Sequence, residues 1–129
     1  MPTPDKLIML SMAVNDMAKS KEFYEHTMGF KVTTDFGQGD KHWVSLELPC
    51  GGILITLTTA HENMKPGTMK LYVSTPDIEA THNKLSSEGA SEVANDLYGP
   101  GSGVKWFSIA DPDGNLWIIC RIEIRLDSF

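Results

Sequence analysis

The chain between residues 14 and 30 reads VNDMAKSKEFYEHTMGF, which predicts a capped helix directly after a strand. The apolar run Leu7–Val14 before it has the character of a strand. Asn15-Asp16 carry short polar side chains that accept hydrogen bonds from the free amides at a helix start, and Gly29 favours the left-handed conformation that ends one. A helix is therefore expected over Met17–Met28. Its predicted buried face consists of residues at three- and four-residue spacing, namely Ser20, Phe23, Tyr24 and Met28.

Extended segments follow this helix. Phe30–Phe36 reads as a strand, and a glycine-rich turn separates it from His42–Leu48, where apolar and polar residues alternate as in a half-buried strand. The β-branched run Ile53–Leu57 is a plausible hairpin partner for the strand before it. The first half of the chain is therefore predicted to be β-α-β-β-β.

The same pattern restarts in the second half. Met69–Ser74 reads as a strand, Thr75-Pro76 as the start of a helix with a hydroxyl cap, and Gly89 as the end of that helix. Its buried face is predicted to consist of Ile78, Thr81 and Leu85. The remaining predicted strands are a short one at Ser91–Ala94, one at Val104–Ile109, and a last one at Asn115–Ile124 after the turn Asp111–Gly114.

Two successive β-α-β-β-β units indicate an internal duplication and an α+β fold class. We expect residues 1–129 to form a single domain of two modules, about residues 5–58 and 69–125, joined by residues 59–68. A length of 129 residues is ordinary for one domain.

Charge and composition exclude several partners. The chain has 11 Lys and Arg against 17 Asp and Glu, a formal charge of −6, and no basic run that would follow a nucleic acid backbone. No apolar run is long enough to cross a membrane, and no secretion signal is evident, so a cytoplasmic location is expected. Cys50 and Cys120 form no motif and are predicted to be free, inert thiols.

Several motifs, in order, resemble those of one superfamily. The resemblance is to the vicinal-oxygen-chelate superfamily, which includes glyoxalases, bleomycin-resistance proteins and extradiol dioxygenases. In the first half it rests on Val14-Asn15-Asp16, Ser20, Phe23-Tyr24 and Met28-Gly29-Phe30, and in the second on Asp111-Pro112-Asp113-Gly114-Asn115. The resemblance implies two βαβββ modules whose sheets curl around a cavity, usually in a homodimer. Members include metal-dependent lyases and isomerases, dioxygenases, thiol transferases, and metal-free proteins that sequester antibiotics.

The metal ligands of the superfamily's enzymes are missing at the matching positions. Those enzymes draw one His, Glu or Gln ligand from each of four cavity-facing strand positions, because hard divalent ions need nitrogen or oxygen donors. The resemblance places these positions at Met9, Thr56, Lys70 and Ile118. Thr56 offers only a neutral hydroxyl, and an ammonium at Lys70 would repel a metal. We therefore predict no metal and no cofactor, and with them the loss of Lewis-acid catalysis.

Alternation along the strands separates residues that pack under the helices from residues that face the cavity. The predicted helix side comprises Val44, Leu46, Ile53, Ile55, Leu57, Leu71, Val73, Trp117 and Ile119. The opposite side is mostly apolar with aromatic walls, which is typical of sites for small organic molecules. The residues predicted there to bind a ligand are Met9, Trp43, Ser45, Glu47, Thr56, Lys70, Tyr72, Trp106 and Ile118. If Lys70 is buried, it could pair with Glu47, bind an anionic group, or act as an acid-base group.

Three functions are compatible with these residues. The leading hypothesis is metal-independent binding of a small, partly aromatic molecule in the cavity or in a dimer groove, and the acidic charge gives weak support for a cationic ligand. The alternative is a lyase, isomerase or dioxygenase that uses unrecognised metal ligands, or Lys70 and Glu47 as catalytic acid-base groups. The third is a scaffold whose cavity is filled with side chains.

Overall fold

The α+β fold with two βαβββ-type modules is confirmed in a computed structural model that describes residues 2–121. Its strands are β1 Met9–Ala13, β2 Lys31–Phe36, β3 Trp43–Glu47, β4 Leu54–Thr58, β5 Lys70–Ser74, β6 Trp106–Ala110 and β7 Leu116–Cys120. Its helices are α1 Met17–Glu22 and α2 Ile78–Leu85. The chain divides into two compact units: residues up to Met69 with Pro112–Gly114 form unit 1, and Lys70–Asp111 with the residues from Asn115 onward form unit 2.

Unit 1 contains a four-stranded sheet in the order β1-β4-β3-β2. Strands β1 and β4 are parallel, whereas β2, β3 and β4 are joined by antiparallel pairing. Val44, Leu46, Ile55 and Leu57, which were predicted to pack under the helix, are at most 2% exposed. Burial of such side chains supplies most of the free energy that holds a helix against a sheet.

Local signals in the sequence account for the first helix. Asp16 accepts a hydrogen bond from the Lys19 amide at 3.2 Å, and Gly29 adopts a positive φ of 76°. The helix predicted over Met17–Met28 is present, and beyond α1 it continues over residues 23–27 as a π-helical turn in which the Met28 amide donates to the Phe23 carbonyl at 2.9 Å. The wider turn leaves Tyr24 fully buried.

Unit 2 contains a three-stranded sheet in the order β5-β7-β6, with β5 parallel to β7. The predicted cap at Thr75 is wrong, because the Asp77 carboxylate accepts from the Ala80 amide at 3.0 Å and α2 begins two residues later than a Thr75 cap would place it. The Thr75 hydroxyl instead bonds to that of Thr81 at 2.6 Å. Gly89 ends this segment in the left-handed conformation, as expected.

Two strand predictions in unit 2 are only partly confirmed. The short strand at Ser91–Ala94 is reduced to one isolated bridge between Ala94 and Trp106. The last strand is described only for Leu116–Cys120, and its predicted end at Ile124 lies outside the described residues. No helix within residues 2–121 is both long enough and apolar enough to cross a membrane.

The turn after β6 contributes to both units. In unit 1, the Asp113 carboxylate accepts from the Asn15 amide at 3.0 Å and from the buried Ser20 hydroxyl at 3.2 Å. In unit 2, Asp111 and Asn115 are buried, and the Asp111 carboxylate accepts from the backbone and side-chain nitrogens of Asn115 at 2.8 and 2.9 Å. Each of these bonds lies within one unit, and they give the turn a structural role in addition to its change of chain direction.

Candidate functional site

Each sheet has one face toward its helix and one face that carries no helix of residues 2–121, which we call the helix-free face. In unit 1, Lys21 of α1 forms an ion pair with Asp35, whose strand neighbour Val44 lies on the helix side. In unit 2, His82 of α2 contacts Phe107 edge-on at 5.0 Å. The candidate ligand-binding residues lie on the helix-free faces, because strand neighbours alternate between the two faces.

Three rows of side chains cross the helix-free face of unit 1, as defined by the strand register. The first row contains Met9, Leu54, Glu47 and Lys31. The second contains the hydroxyl side chains of Ser11, Thr56, Ser45 and, at a bulge in β2, Thr33. The third contains Ala13, Thr58, Trp43 and Phe36. The first row thus combines apolar and charged side chains, the second consists of hydroxyl groups, and the third includes two aromatic rings.

In the second row, which we call the hydroxyl row, the side chains are hydrogen bonded to one another in two pairs. Ser11 bonds to Thr56 and Thr33 to Ser45, both at 2.6 Å between oxygen atoms. Thr56 and Ser45 are 0% and 1% exposed. A ligand can therefore reach these two predicted contacts only if neighbouring side chains move, whereas the outer hydroxyls of Ser11 and Thr33 are exposed.

Some of the predicted ligand-binding residues of unit 1 are accessible. They lie on either side of the hydroxyl row. Met9 is 39% exposed, and Trp43 and Glu47 are partly exposed. Leu7 and Ile8, just before β1, are 65% and 67% exposed and line an open cleft of about 440 Å³. The apolar surface around Met9 therefore extends beyond the sheet.

Phe36 also lies on the helix-free face of unit 1, although the sequence pattern did not indicate it. Strict alternation from Val32 would place Phe36 on the helix side, but the register shifts between Val32 and Thr34 and brings Phe36 opposite Trp43. A bulge inserts one residue and reverses which face the following residues occupy. Phe36 is 70% exposed, so it adds an accessible aromatic ring to the face that carries Trp43.

On the helix-free face of unit 2, Lys70 and Tyr72 project from the edge strand β5. Lys70 is exposed, and its Nζ lies 5.8 Å from the centroid of the Tyr72 ring, which is itself 55% exposed. The burial on which an acid-base role for Lys70 depends is thus absent. Trp106, another predicted contact, is partly exposed on β6.

The inner strand of unit 2 offers little accessible surface on this face. Ile118 and Cys120 on β7 are 2% and 1% exposed, so the predicted contact at Ile118 is buried. Burial raises the pKa of the Cys120 thiol, whose Sγ donates to the Val73 carbonyl at 3.7 Å. The Cys120 thiol therefore stays protonated at neutral pH, in line with the expected inert role.

The charged cluster around Asp35 lies on the opposite side of the unit 1 sheet. Hydrogen bonds from Lys21 at 2.7 Å and from His42 hold the pKa of Asp35 below its usual value, and Asp35 in turn raises the pKa of Lys21. These groups connect α1 to the ends of β2 and β3. Their contacts indicate a structural role.

The residues at the four expected metal positions do not fit a hard metal ion. Met9 and Ile118 have no hard donor, the Thr56 hydroxyl is neutral and hydrogen bonded, and Lys70 is a cation. Within residues 2–121, no three or more His, Cys, Asp or Glu side chains are grouped so that they could hold a metal ion.

The chain matches the family model for the Glyoxalase/Bleomycin resistance protein/Dioxygenase superfamily over residues 6–119. It therefore belongs to this superfamily, as the motifs predicted. No curated protein matches the chain.

Solved structures of other members have the same fold. TnmS3, an antibiotic binding protein from Streptomyces sp. CB03234, is 24% identical with a TM-score of 0.76, over 95% of this chain and 100% of TnmS3. A glyoxalase/bleomycin resistance protein from the same organism is 26% identical with a TM-score of 0.68, over 88% and 98% of the two chains. A superfamily member from Sphaerobacter thermophilus is 19% identical with a TM-score of 0.75, and the match covers 92% of this chain and 98% of that protein. These likenesses concern the fold.

Proposed function

We propose that the protein binds a small, partly aromatic organic molecule without a metal ion, at the helix-free faces of its sheets. The observation that carries this proposal is the helix-free face of unit 1, where the hydroxyl row separates the exposed Met9, beside the charged Glu47 and Lys31, from the aromatic rings of Trp43 and Phe36. Sites for drug-sized molecules are usually built in this way, with few polar groups among apolar and aromatic ones.

The chemistry at the four expected metal positions supports the same proposal. Superfamily enzymes need hard donors there, and this chain has Met9, Thr56, Lys70 and Ile118. The similarity to TnmS3, described as an antibiotic binding protein, supports binding as the activity. We further propose that the protein acts as a homodimer, with the ligand in the cavity or in the groove of the dimer.

Trp43 provides the test of this proposal. We expect Trp43→Ala to weaken binding of an aromatic ligand by about 10- to 100-fold, because a stacked aromatic contact and its buried area are lost. Affinity is measured by isothermal titration in EDTA with metal-free bleomycin and doxorubicin as probes. Tyr98→Ala is the control, since Tyr98 is 64% exposed in the loop between Ala94 and β6.

The two variants distinguish ligand binding at a specific site from nonspecific binding to exposed aromatic side chains. Retained affinity in Tyr98→Ala and lost affinity in Trp43→Ala is the expected result. Equal effects of the two substitutions, or binding by the parent protein that requires a divalent metal, would contradict the proposal. Thermal unfolding of both variants verifies that they are folded, as expected for a residue that is only partly buried.

A further inference from the structure

Lys70 presents a cation on the helix-free face of unit 2. Its Nζ lies 5.8 Å from the centroid of the Tyr72 ring, an arrangement in which the ring quadrupole attracts the ammonium. Both side chains are exposed and project from the same face of the edge strand β5. The ammonium is therefore held beside an aromatic surface and is accessible from solution.

Among the residues that the structure describes, no acidic side chain shares a face of the sheet with Lys70. The other strand residues that the structure describes on this face are uncharged: Ser74, Trp106, Ser108, Ala110, Leu116, Ile118 and Cys120. By contrast, Lys105 forms an ion pair with Glu79 of α2, with Nζ 3.3 Å from the carboxylate. No ion pair within residues 2–121 involves Lys70.

An exposed cation beside an aromatic ring and apolar groups is suited to an anion that carries an aromatic body. An ammonium donates strong hydrogen bonds to a carboxylate, phenolate or phosphate oxygen. The neighbouring Tyr72 phenol is a further donor, and its ring offers a stacking surface. The chain's net charge of −6 does not oppose this, because net charge says little about one local site.

We propose that Lys70, supported by Tyr72, anchors an oxygen anion of the bound molecule, so that the ligand is an aromatic acid or a comparable aromatic anion. This inference rests on the proposed function and specifies its ligand class. In this proposal Lys70 binds the ligand through its positive charge and transfers no proton. It also replaces the expectation of a cationic ligand that the overall acidity suggested.

The test compares two probes with the same aromatic ring system, the anion 2-naphthoate and its neutral amide, 2-naphthamide. Dissociation constants come from protein-observed NMR titrations of the full chain. We expect 2-naphthoate to bind about 10-fold more tightly than the amide, an advantage typical of one hydrogen bond to a charged group, and we expect salt to reduce it.

Substitutions assign the effect to Lys70. Lys70→Met should remove the preference for 2-naphthoate, Lys70→Arg should retain most of it, and Tyr72→Phe should reduce it in part. Lys105→Met is the matched control, because it removes the same charge from the other face of the same sheet. We expect Lys105→Met to keep the preference.

Each other outcome overturns the inference. Equal affinity for the two probes, or a preference that survives Lys70→Met, rejects the anion site while leaving the proposed function intact. Failure of both probes to bind also rejects the anion site, and the bleomycin and doxorubicin titrations then decide the proposed function separately. Loss of the preference in Lys105→Met would attribute it to net charge.

Discussion

Gly67→Ala is expected to lower the free energy of unfolding by about 3 kcal/mol, since it combines an unfavourable backbone conformation with a steric clash. Gly67 has a φ of +78°, and a Cβ atom there would lie 2.1 Å from the backbone carbonyl oxygen of Asp113. Backbone atoms of the turn cannot rotate away as a side chain could. The turn that holds Asn15 and Ser20 through Asp113 would have to shift.

Gly51 provides a control with the same backbone conformation. Its φ is +77°, yet a Cβ atom there has no neighbour within 4 Å. Gly51→Ala should therefore lower the free energy of unfolding by about 1 kcal/mol, because only the left-handed backbone conformation is unfavourable for alanine. Urea unfolding followed by tryptophan fluorescence measures both variants. If the two variants lose the same free energy of unfolding, a Cβ atom at residue 67 does not clash with the turn, which would contradict the prediction.

Asp111→Ala is expected to lower the free energy of unfolding by about 3 kcal/mol, because it leaves buried donors without acceptors. The Asp111 carboxylate accepts from the backbone nitrogen of Asn115 at 2.8 Å and from its side-chain nitrogen at 2.9 Å. Asp111 and Asn115 are 5% and 1% exposed, so water does not readily replace the lost acceptor.

Asp77 is the matched control in the same unit. Its carboxylate also accepts from a backbone amide, that of Ala80 at 3.0 Å, but Asp77 is exposed at the start of α2. Asp77→Ala should cost about 1 kcal/mol, as is usual for loss of a helix cap. Chemical unfolding of the two variants side by side gives the difference. A smaller loss in Asp111→Ala than in Asp77→Ala would contradict the structural role of the buried carboxylate.

The sequence was sufficient where structure depends on near neighbours. The cap at Asp16 and the stop at Gly29 were predicted correctly, because each depends on a few adjacent residues. The second helix start was misplaced because Thr75 and Asp77 are both good caps, and only the structure shows that the Thr75 hydroxyl bonds to Thr81. Competing local signals of similar strength cannot be ranked without tertiary contacts.

The sequence was insufficient where distant residues decide the outcome. The bulge in β2, which places Phe36 beside Trp43, depends on pairing with β3. Thr56 is fully buried and bonds to Ser11, 45 positions away in the chain. The motif around Asp113 was read as a turn, and its bonds to Asn15 and Ser20 cross more than 90 positions. The periodicity of a strand predicts on which face of the sheet a side chain lies, but not which other residues bury that side chain.

The central claim, metal-independent binding, is tested most directly by the thermal unfolding midpoint of protein purified without chelators, with Ni²⁺, Mn²⁺, Fe²⁺ or Zn²⁺ added in turn. A ligand of the native state at 100 times its Kd adds about 2.7 kcal/mol of stability, which raises the midpoint of a domain of this size by several degrees. We predict that none of the four ions produces such a shift. A rise of several degrees with one ion at near-stoichiometric concentration would contradict the account and favour a metal-dependent enzyme.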